Sequence, residues 1–391
     1  MKILQERIKQ LQLNNALVVF KENGSAYGEG LLQKLVQGYQ LVDLSLPAIR
    51  LQVEQNPLGF AQNLPEKAYL ANLHYTPSLL GALLTLVGSG AKQIVASCSQ
   101  DYYLKEEVAS ACEDEGALPK VVFLELPLTE PTDEPAFLPV AEQMEELAAK
   151  AQRNDVVQGI LQGSGAWGEN ISAYLRRVLQ QDIMEQTTCS GDIKFYRFLC
   201  TAASMAGTVL NYTTLANAVG ITAPTAKQWL RFLEGTGIVY LLQALENVPG
   251  KRLIKAPKLY FRDTGIAASL LQIADAASLI QSIYFKKLYE NYVVNKLRES
   301  YLQRGEEPQW CFYRDSNAKE ISIVLQHGGS VHPMLIDKDG ISKNKLRKSF
   351  AILDGYAEGQ GLELASGCLL SSAGPSRELA AGLWQIDVAV L

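Results

Sequence analysis

Apolar residues in the N-terminal third of the chain fall into short runs separated by stretches of helical spacing. Ala16–Phe20, Tyr39–Leu44, Gln93–Ser97 and Lys120–Leu126 read as buried strands, while Leu31–Val36 opens one helix and Leu79–Val87 forms another. Strands that alternate with helices favour a parallel sheet covered on both faces. Ahead of them, MKILQERIKQLQL sets Ile3, Ile8, Leu11 and Leu13 among charges. That is an amphipathic helix, without the apolar core of a signal peptide.

An acidic connector follows, LPLTEPTDEPAFLP, punctuated by Pro127, Pro131, Pro135 and Pro139. Glu142–Leu161 reads as one amphipathic helix and Gln162–Gly168 as a glycine-rich turn, too irregular for a phosphate cradle. Tyr174–Ile183 is predicted to be the next helix, with Arg176 and Arg177 exposed.

The pattern is richest from Leu210 to Gly265. Leu215, Ala216 and Val219 give one apolar face at helical spacing. Gly220 permits a tight turn, because a residue without Cβ tolerates positive φ. Thr222 is placed to cap a second helix, and Pro224 sits early in it, where a missing N–H costs nothing. Ala226, Trp229, Leu230 and Leu233 turn toward the same core. The run Ile238–Leu245 reads as a strand with Leu253–Phe261 as its partner, which completes a winged helix.

Beyond it, Leu288–Leu297 reads as a helix, then a strand to Tyr313, a turn at Asp315-Ser316-Asn317, and strands Glu320–Leu325 and Ser330–Ile336. Asn344–Leu353 is a basic amphipathic helix.

Composition adds further constraints. A chain of 391 residues exceeds one ordinary core. No apolar run reaches the roughly 20 residues that span a bilayer, and the six cysteines lie apart without CxxC pairing, which fits buried thiols in a reducing cytosol. Three histidines are too few for a His-rich metal site. The net charge of −5 hides a segregation: Asp101–Lys150 holds thirteen acidic and three basic residues, whereas Gly191–Arg262 holds nine basic and three acidic, or +6. A basic winged helix in an acidic chain suggests a local anionic partner. The alternative is a protein-docking module whose lysines are merely solvated.

The segment PKLYFRDTGIAASLL, placed just after a winged helix, resembles a large bacterial and archaeal group of AAA-superfamily ATPases that carry a C-terminal domain of unknown function. The resemblance implies an α/β multidomain chain: a P-loop-like parallel α/β sheet over residues 1–130, a helical connector over 131–190, a winged helix over 191–275, and a restriction-endonuclease-like α/β domain over 276–391.

It also shows what is missing. A P-loop needs glycines at both ends of a four-residue span, then Lys, then Ser or Thr, so that backbone N–H groups, an ammonium and Mg²⁺ meet the phosphates. The resemblance sets Gly28 on the second glycine, with Asn23 at the first glycine, Glu29 at the lysine and Gly30 at the hydroxyl position. A carboxylate in place of the ammonium is a charge reversal. At an effective dielectric near 20, like charges about 4 Å apart repel by roughly 4 kcal/mol. Ala71 and Asn72 stand where the family has its Asp-Glu pair, and the later strand ends in Ala96-Ser97-Cys98-Ser99. No clear arginine for a finger role lies between Asp101 and Lys120.

In the C-terminal domain the acids of a nuclease are replaced as well. By resemblance, Ser322 holds the Asp position, Leu335 the Glu position and Asp337 the Lys position; Glu290 alone survives as an acidic neighbour. Asp337 and Asp339 alternate and are expected to share a strand face, which leaves a metal pair as an alternative to a polar strand end.

The function expected from these losses is that of a non-catalytic, cytoplasmic relative of the ATPases, acting as a scaffold without a cofactor. Its partner is duplex DNA or a protein, and no membrane; an oligomer is compatible with it. On DNA the outer face of the second helix would act through Thr222, Thr225, Lys227, Gln228 and Arg231, with Lys251 and Arg252 between the wing strands. The alternative is an active enzyme: an ATPase with an atypical site for ATP and Mg²⁺, or a nuclease with rearranged acids.

Overall fold

The computed structural model describes residues 2–14, 16–22, 25–90, 92–99, 101, 104–105, 107–108, 121–132, 134–151, 153–165, 192–246 and 248–391. The candidate Asn23 and the expected helix Tyr174–Ile183, with Arg176 and Arg177, lie outside the described residues. The chain divides into two compact units. One gathers Met1–Glu134, Gln228–Ile238 and Tyr301–Glu306; the other gathers Pro135–Lys227, Val239–Ser300 and Glu307–Leu391.

The first unit is built on a five-stranded, all-parallel sheet. Its strands are β1 (Leu17–Lys21), β2 (Gln40–Asp43), β3 (Lys67–Ala71), β4 (Gln93–Cys98) and β5 (Val121–Glu125), in the order β2-β3-β4-β1-β5. Val18 of β1 pairs with Val95 of β4 on one side and Val122 of β5 on the other. Side chains alternate across a strand, and β1 shows the result. Leu17 and Val19 enter one core with Leu83 and Leu84 of the Leu80–Gly88 helix. Val18 and Phe20 enter another, with Leu4, Ile8 and Leu11 of the Lys2–Leu13 helix and Leu31 and Leu32 of the Ala26–Leu35 helix. A strand apolar at every position is the mark of a sheet buried on both faces. Two further helices, Pro47–Gln55 and Pro57–Gln62, each start on a proline at the first helical position, where its fixed φ suits the turn.

The second unit carries two sheets. The smaller is antiparallel, in the order β6-β8-β7, with β6 (Thr208–Val209), β7 (Val239–Leu242) and β8 (Lys258–Phe261). Near it in sequence run the Asp192–Ser204 and Tyr212–Val219 helices. Asn211 caps the latter by accepting the Thr214 N–H, and Gly220, at φ 73°, ends it by returning its own N–H to the Ala216 carbonyl. The Ala223–Gly235 helix begins three residues later, its residues from Gln228 on counted with the first unit; its first turn is capped by Thr222 Oγ1, which accepts the Thr225 N–H at 3.2 Å.

The larger sheet is mixed and seven-stranded. It comprises β9 (Trp310–Arg314), β10 (Glu320–His327), β11 (Ser330–Ile336), β12 (Glu363–Leu364), β13 (Gly367–Ser371), β14 (Arg377–Ala380) and β15 (Leu383–Asp387). The path runs β14-β15-β13-β11-β10-β9, with β12 paired to β11.

Three expectations are corrected. The two long wing strands are short, because their outer parts leave to pair with β9. Leu245 donates to the Phe312 carbonyl at 2.8 Å, Phe312 to Gln243 at 3.0 Å, Ile254 to Arg314 at 3.0 Å, and Ser316 to Arg252 at 2.9 Å. β9 ends the sheet path, and unpaired edge groups are costly or prone to pair with other chains; the looped-out wing satisfies them. The single helix expected over Glu142–Leu161 is two, Ala141–Ala149 and Val156–Gln162. Asp155 caps the second by accepting the Gln158 N–H at 3.0 Å, a side-chain bond that competes with helix continuation. The basic helix is Lys343–Phe350, followed by a 3-10 turn at Ala351–Leu353. Among the described residues no helix is long and apolar enough to cross a membrane.

Candidate functional site

In an open parallel sheet, ligands bind outside the carboxyl ends of the strands where the strand order reverses. Here that point lies between β1 and β4. Glu22 follows β1 directly, Ser97 and Cys98 end β4, and Asn72 follows β3. Tyr69 and Ser97 share a hydroxyl hydrogen bond of 2.8 Å, and burial pushes the Tyr69 phenol up to about 12. Asn72 stands at φ 64° and donates to Asp43 Oδ1 at 3.0 Å. His74 Nε2 meets Ser99 Oγ at 3.2 Å, and burial lowers its imidazole to about 4.

At the start of the helix after β1, one donor that a triphosphate would use is already taken. A phosphate cradle needs backbone N–H groups left open at the helix start. Here Ser25, fully buried, caps the Ala26–Leu35 helix and its Oγ takes the Gly28 N–H at 2.9 Å. Gly28 is thus a first-turn residue whose donor is already used by the cap. Glu29 stands exposed in the first helical turn, beside Gly30, which has open space around it. Burial raises the Glu22 carboxyl above its ordinary value, and repulsion from Glu29 and Asp43 adds to the rise. The mouth of the switch point is therefore lined by carboxylates. Ala71 ends β3 and offers no metal ligand, while Asn72 is turned to Asp43.

Of the expected nuclease positions, Ser322 and Leu335 come together on adjacent antiparallel strands, each next to the Ile323–Met334 pair, but they bring no acid with them. Ser322 is buried on β10, where its Oγ accepts the Ile336 N–H at 3.0 Å and ties β10 to β11. Leu335 lies on β11, packed against a hydrophobic core of this unit. Asp337 lies one residue beyond β11, so Asp337 and Asp339 share no strand face; they form a turn in which Asp337 Oδ1 accepts the Asp339 N–H at 3.0 Å. Asp337 also meets Lys286 at 3.4 Å. Among the described residues no hydrogen bond or ion pair joins any of Glu290, Ser322, Leu335 and Asp337 to another.

Glu290 instead belongs to a buried ionic cluster that pattern reading missed. Lys258, on β8, has a side chain only 2% exposed, and its Nζ reaches Glu290 at 2.6 Å and also Glu320. Tyr260 donates to Glu290 at 2.8 Å, and Arg314 pairs with Glu320 at 2.6 Å. Burial alone would lower the Lys258 pKa, but the attraction of Glu290 and Glu320 outweighs it and the net shift is upward. The ammonium thus sits between two carboxylates from the Phe285–Leu302 helix and β10. The available signal was a lysine heading the all-buried run of β8, since a buried lysine requires an acidic partner.

The PKLYFRDTG segment has a second structural role. Asp263 caps the Thr264–Leu270 helix through the Gly265 and Ile266 N–H groups. Its other oxygen accepts Ser164 N–H at 2.8 Å and Ser164 Oγ–H at 2.5 Å. The glycine-rich turn is fastened there, with Gly163 at φ 62° and ψ −136°, a region open essentially to glycine alone.

On the Ala223–Gly235 helix, Thr222, Lys227, Gln228 and Arg231 are exposed and Thr225 is half-buried, whereas Ala226, Trp229, Leu230 and Leu233 are buried. Lys251 and Arg252 are exposed on the segment that pairs with β9.

Two family descriptions match this chain. Residues 161–277 are similar to a domain of unknown function, DUF8612, and residues 285–372 to another, DUF4143. Uncharacterized proteins of Mycobacterium tuberculosis and Mycobacterium bovis are each 26% identical over 134 residues, 34% of this chain. The chain spans 30% of the length of these curated relatives. Among solved structures, Drosophila ORC bound to AT-rich DNA and Cdc6 aligns with 70% of this chain and 93% of that one, at 12% identity and a TM-score of 0.20. Similarity at that level carries no argument about function.

Proposed function

We propose that this chain is a non-catalytic relative of AAA-superfamily P-loop ATPases that serves as a binding scaffold. In this reading its first sheet is a degenerate P-loop domain, its helix-turn-helix and small antiparallel sheet form a winged helix, and its larger sheet is an endonuclease-like domain. The observation that carries the loss of catalysis is the capped helix after β1, where Ser25 occupies the Gly28 N–H and Glu22 and Glu29 supply negative charge. Triphosphate would have to displace a buried hydroxyl and then face carboxylates.

Binding is assigned to the outer face of the Ala223–Gly235 helix. Lys227 and Arg231 lie four residues apart and share that face, and a second helix presented in this way suits a major groove. Duplex DNA is the partner to test first. The full chain is titrated with Mg·ATP by calorimetry and with a labelled random duplex by fluorescence anisotropy at several salt concentrations. No heat of nucleotide binding is expected, and the duplex is expected to bind weakly, with a loss in Lys227→Glu/Arg231→Glu. Micromolar ATP affinity would overturn the non-catalytic reading. Duplex affinity indifferent to both salt and the double substitution would remove DNA from this helix and leave a protein-docking face.

A further inference from the structure

We propose that the Lys343–Phe350 helix, together with the segment carrying Lys251 and Arg252, forms a second cationic surface that binds the phosphate backbone of a nucleic-acid duplex. The helix buries Leu346 and Phe350 and exposes Lys343, Asn344, Lys345, Arg347 and Lys348. Four of its five exposed positions are cations, in a chain of net charge −5. Among the described residues, none of these four, nor Lys251 or Arg252, forms an ion pair with a carboxylate.

Arg347 and Lys348 lie in the last turn, where the helix dipole favours cations, but the first turn works against the helix's own stability. Lys343 and Lys345 lie in the first turn, which holds no acid, and the positive end of the helix dipole disfavours cations there. Lys343 and Arg347 are four apart and Lys345 and Lys348 three apart, spacings at which like charges repel. A sequence shaped only by folding would place acids at some of these sites. Local choices that oppose the fold mark positions held for another purpose.

Packing joins the two segments. Leu346 and Phe350 enter the same core as Leu245, Val248 and Leu253, the residues that flank Lys251 and Arg252. The two cationic segments are therefore anchored in one core. An array of unpaired cations suits the evenly repeated charge of a duplex, about one per 1.7 Å. A membrane surface is disfavoured, because the apolar face that an interfacial helix would insert is already buried in the core.

This inference does not rest on the winged-helix reading, and its test uses different residues. Anisotropy of a labelled random duplex is measured on the full chain over a salt series. For Lys345→Glu/Arg347→Glu/Lys348→Glu we expect at least an order-of-magnitude loss at low salt. The slope of log affinity against log salt should shrink by about 0.9 for each phosphate contact removed. Arginine at the two lysine positions should preserve binding. Lys343→Glu should weaken binding and raise the thermal midpoint together, since it places an acid in the first turn. Circular dichroism checks each fold, and the corresponding triple glutamine variant replaces any glutamate variant that misfolds. Unchanged affinity and slope in the triple variant would overturn the proposal. So would vesicles of phosphatidylserine binding the protein in competition with the duplex and losing affinity in the same variant. If only Lys227→Glu/Arg231→Glu loses affinity, the winged-helix reading stands and this one fails; loss in the triple variant alone gives the reverse.

Discussion

Lys258→Met isolates the buried ionic cluster of the second unit. Methionine keeps lysine's apolar stem as far as Cε but leaves two carboxylates without their shared cation. The Glu290 side chain is 13% exposed and that of Glu320 22%, against 2% for Lys258. Removing one partner from a buried pair costs about 3–5 kcal/mol. Here the lower end applies, about 3 kcal/mol, because Glu320 keeps Arg314 at 2.6 Å and Glu290 keeps the Tyr260 hydroxyl at 2.8 Å. Urea titration followed by far-UV circular dichroism measures the deficit. The deficit should shrink in acid, where protonation removes the stranded charge. It should nearly vanish at neutral pH in Lys258→Met/Glu290→Gln/Glu320→Gln, since replacing a whole buried ionic group is often neutral.

The alkaline side has its own sign. The folded Lys258 pKa lies above its ordinary 10.5, since attraction to Glu290 and Glu320 outweighs the opposing effect of burial. Its contribution is intact below pH 10.5 and is lost as pH rises through the higher folded value. The wild type should therefore lose its advantage over Lys258→Met above that pH. A cost under about 0.5 kcal/mol, the level of an exposed ion pair, or a cost independent of pH, would refute this account.

Three other outcomes follow from the same geometry. Ser25→Ala should destabilise the first unit by about 1 kcal/mol, the usual cost of a lost N-cap, and should still not confer Mg·ATP binding; calorimetry and thermal melts read both. His74 should stay neutral down to about pH 4, because burial depresses its pKa from 6.5. Its contribution is then lost as pH falls from 6.5 toward 4, and an imidazole NMR titration centred near 6.5 would contradict this. Gly163→Ala should cost about 1–3 kcal/mol from backbone strain alone, with a further loss where its Cβ would strike the Asp263 carboxylate; a melt unchanged from wild type would show that the turn can relax.

Sequence alone was enough for the elements whose side chains alternate or repeat against a single core. The runs of β1 and β4 and the faces set by Leu215 and Leu230 are local patterns, and a buried strand or an amphipathic helix reproduces them without knowledge of its neighbours. The absence of a lysine at Glu29 and of acids at Ala71 and Ser322 was equally a matter of reading residues. Tertiary structure decided where backbone groups find partners over long range. Nothing local tells Gln243 and Arg252 to pair with β9, because that choice depends on which strand ends the larger sheet. The partners of Lys258 were hidden for a similar reason. Glu290 lies 32 residues away and Glu320 62, and only the folded chain brings a strand, a helix and a second strand close enough for one ammonium to neutralise both carboxylates.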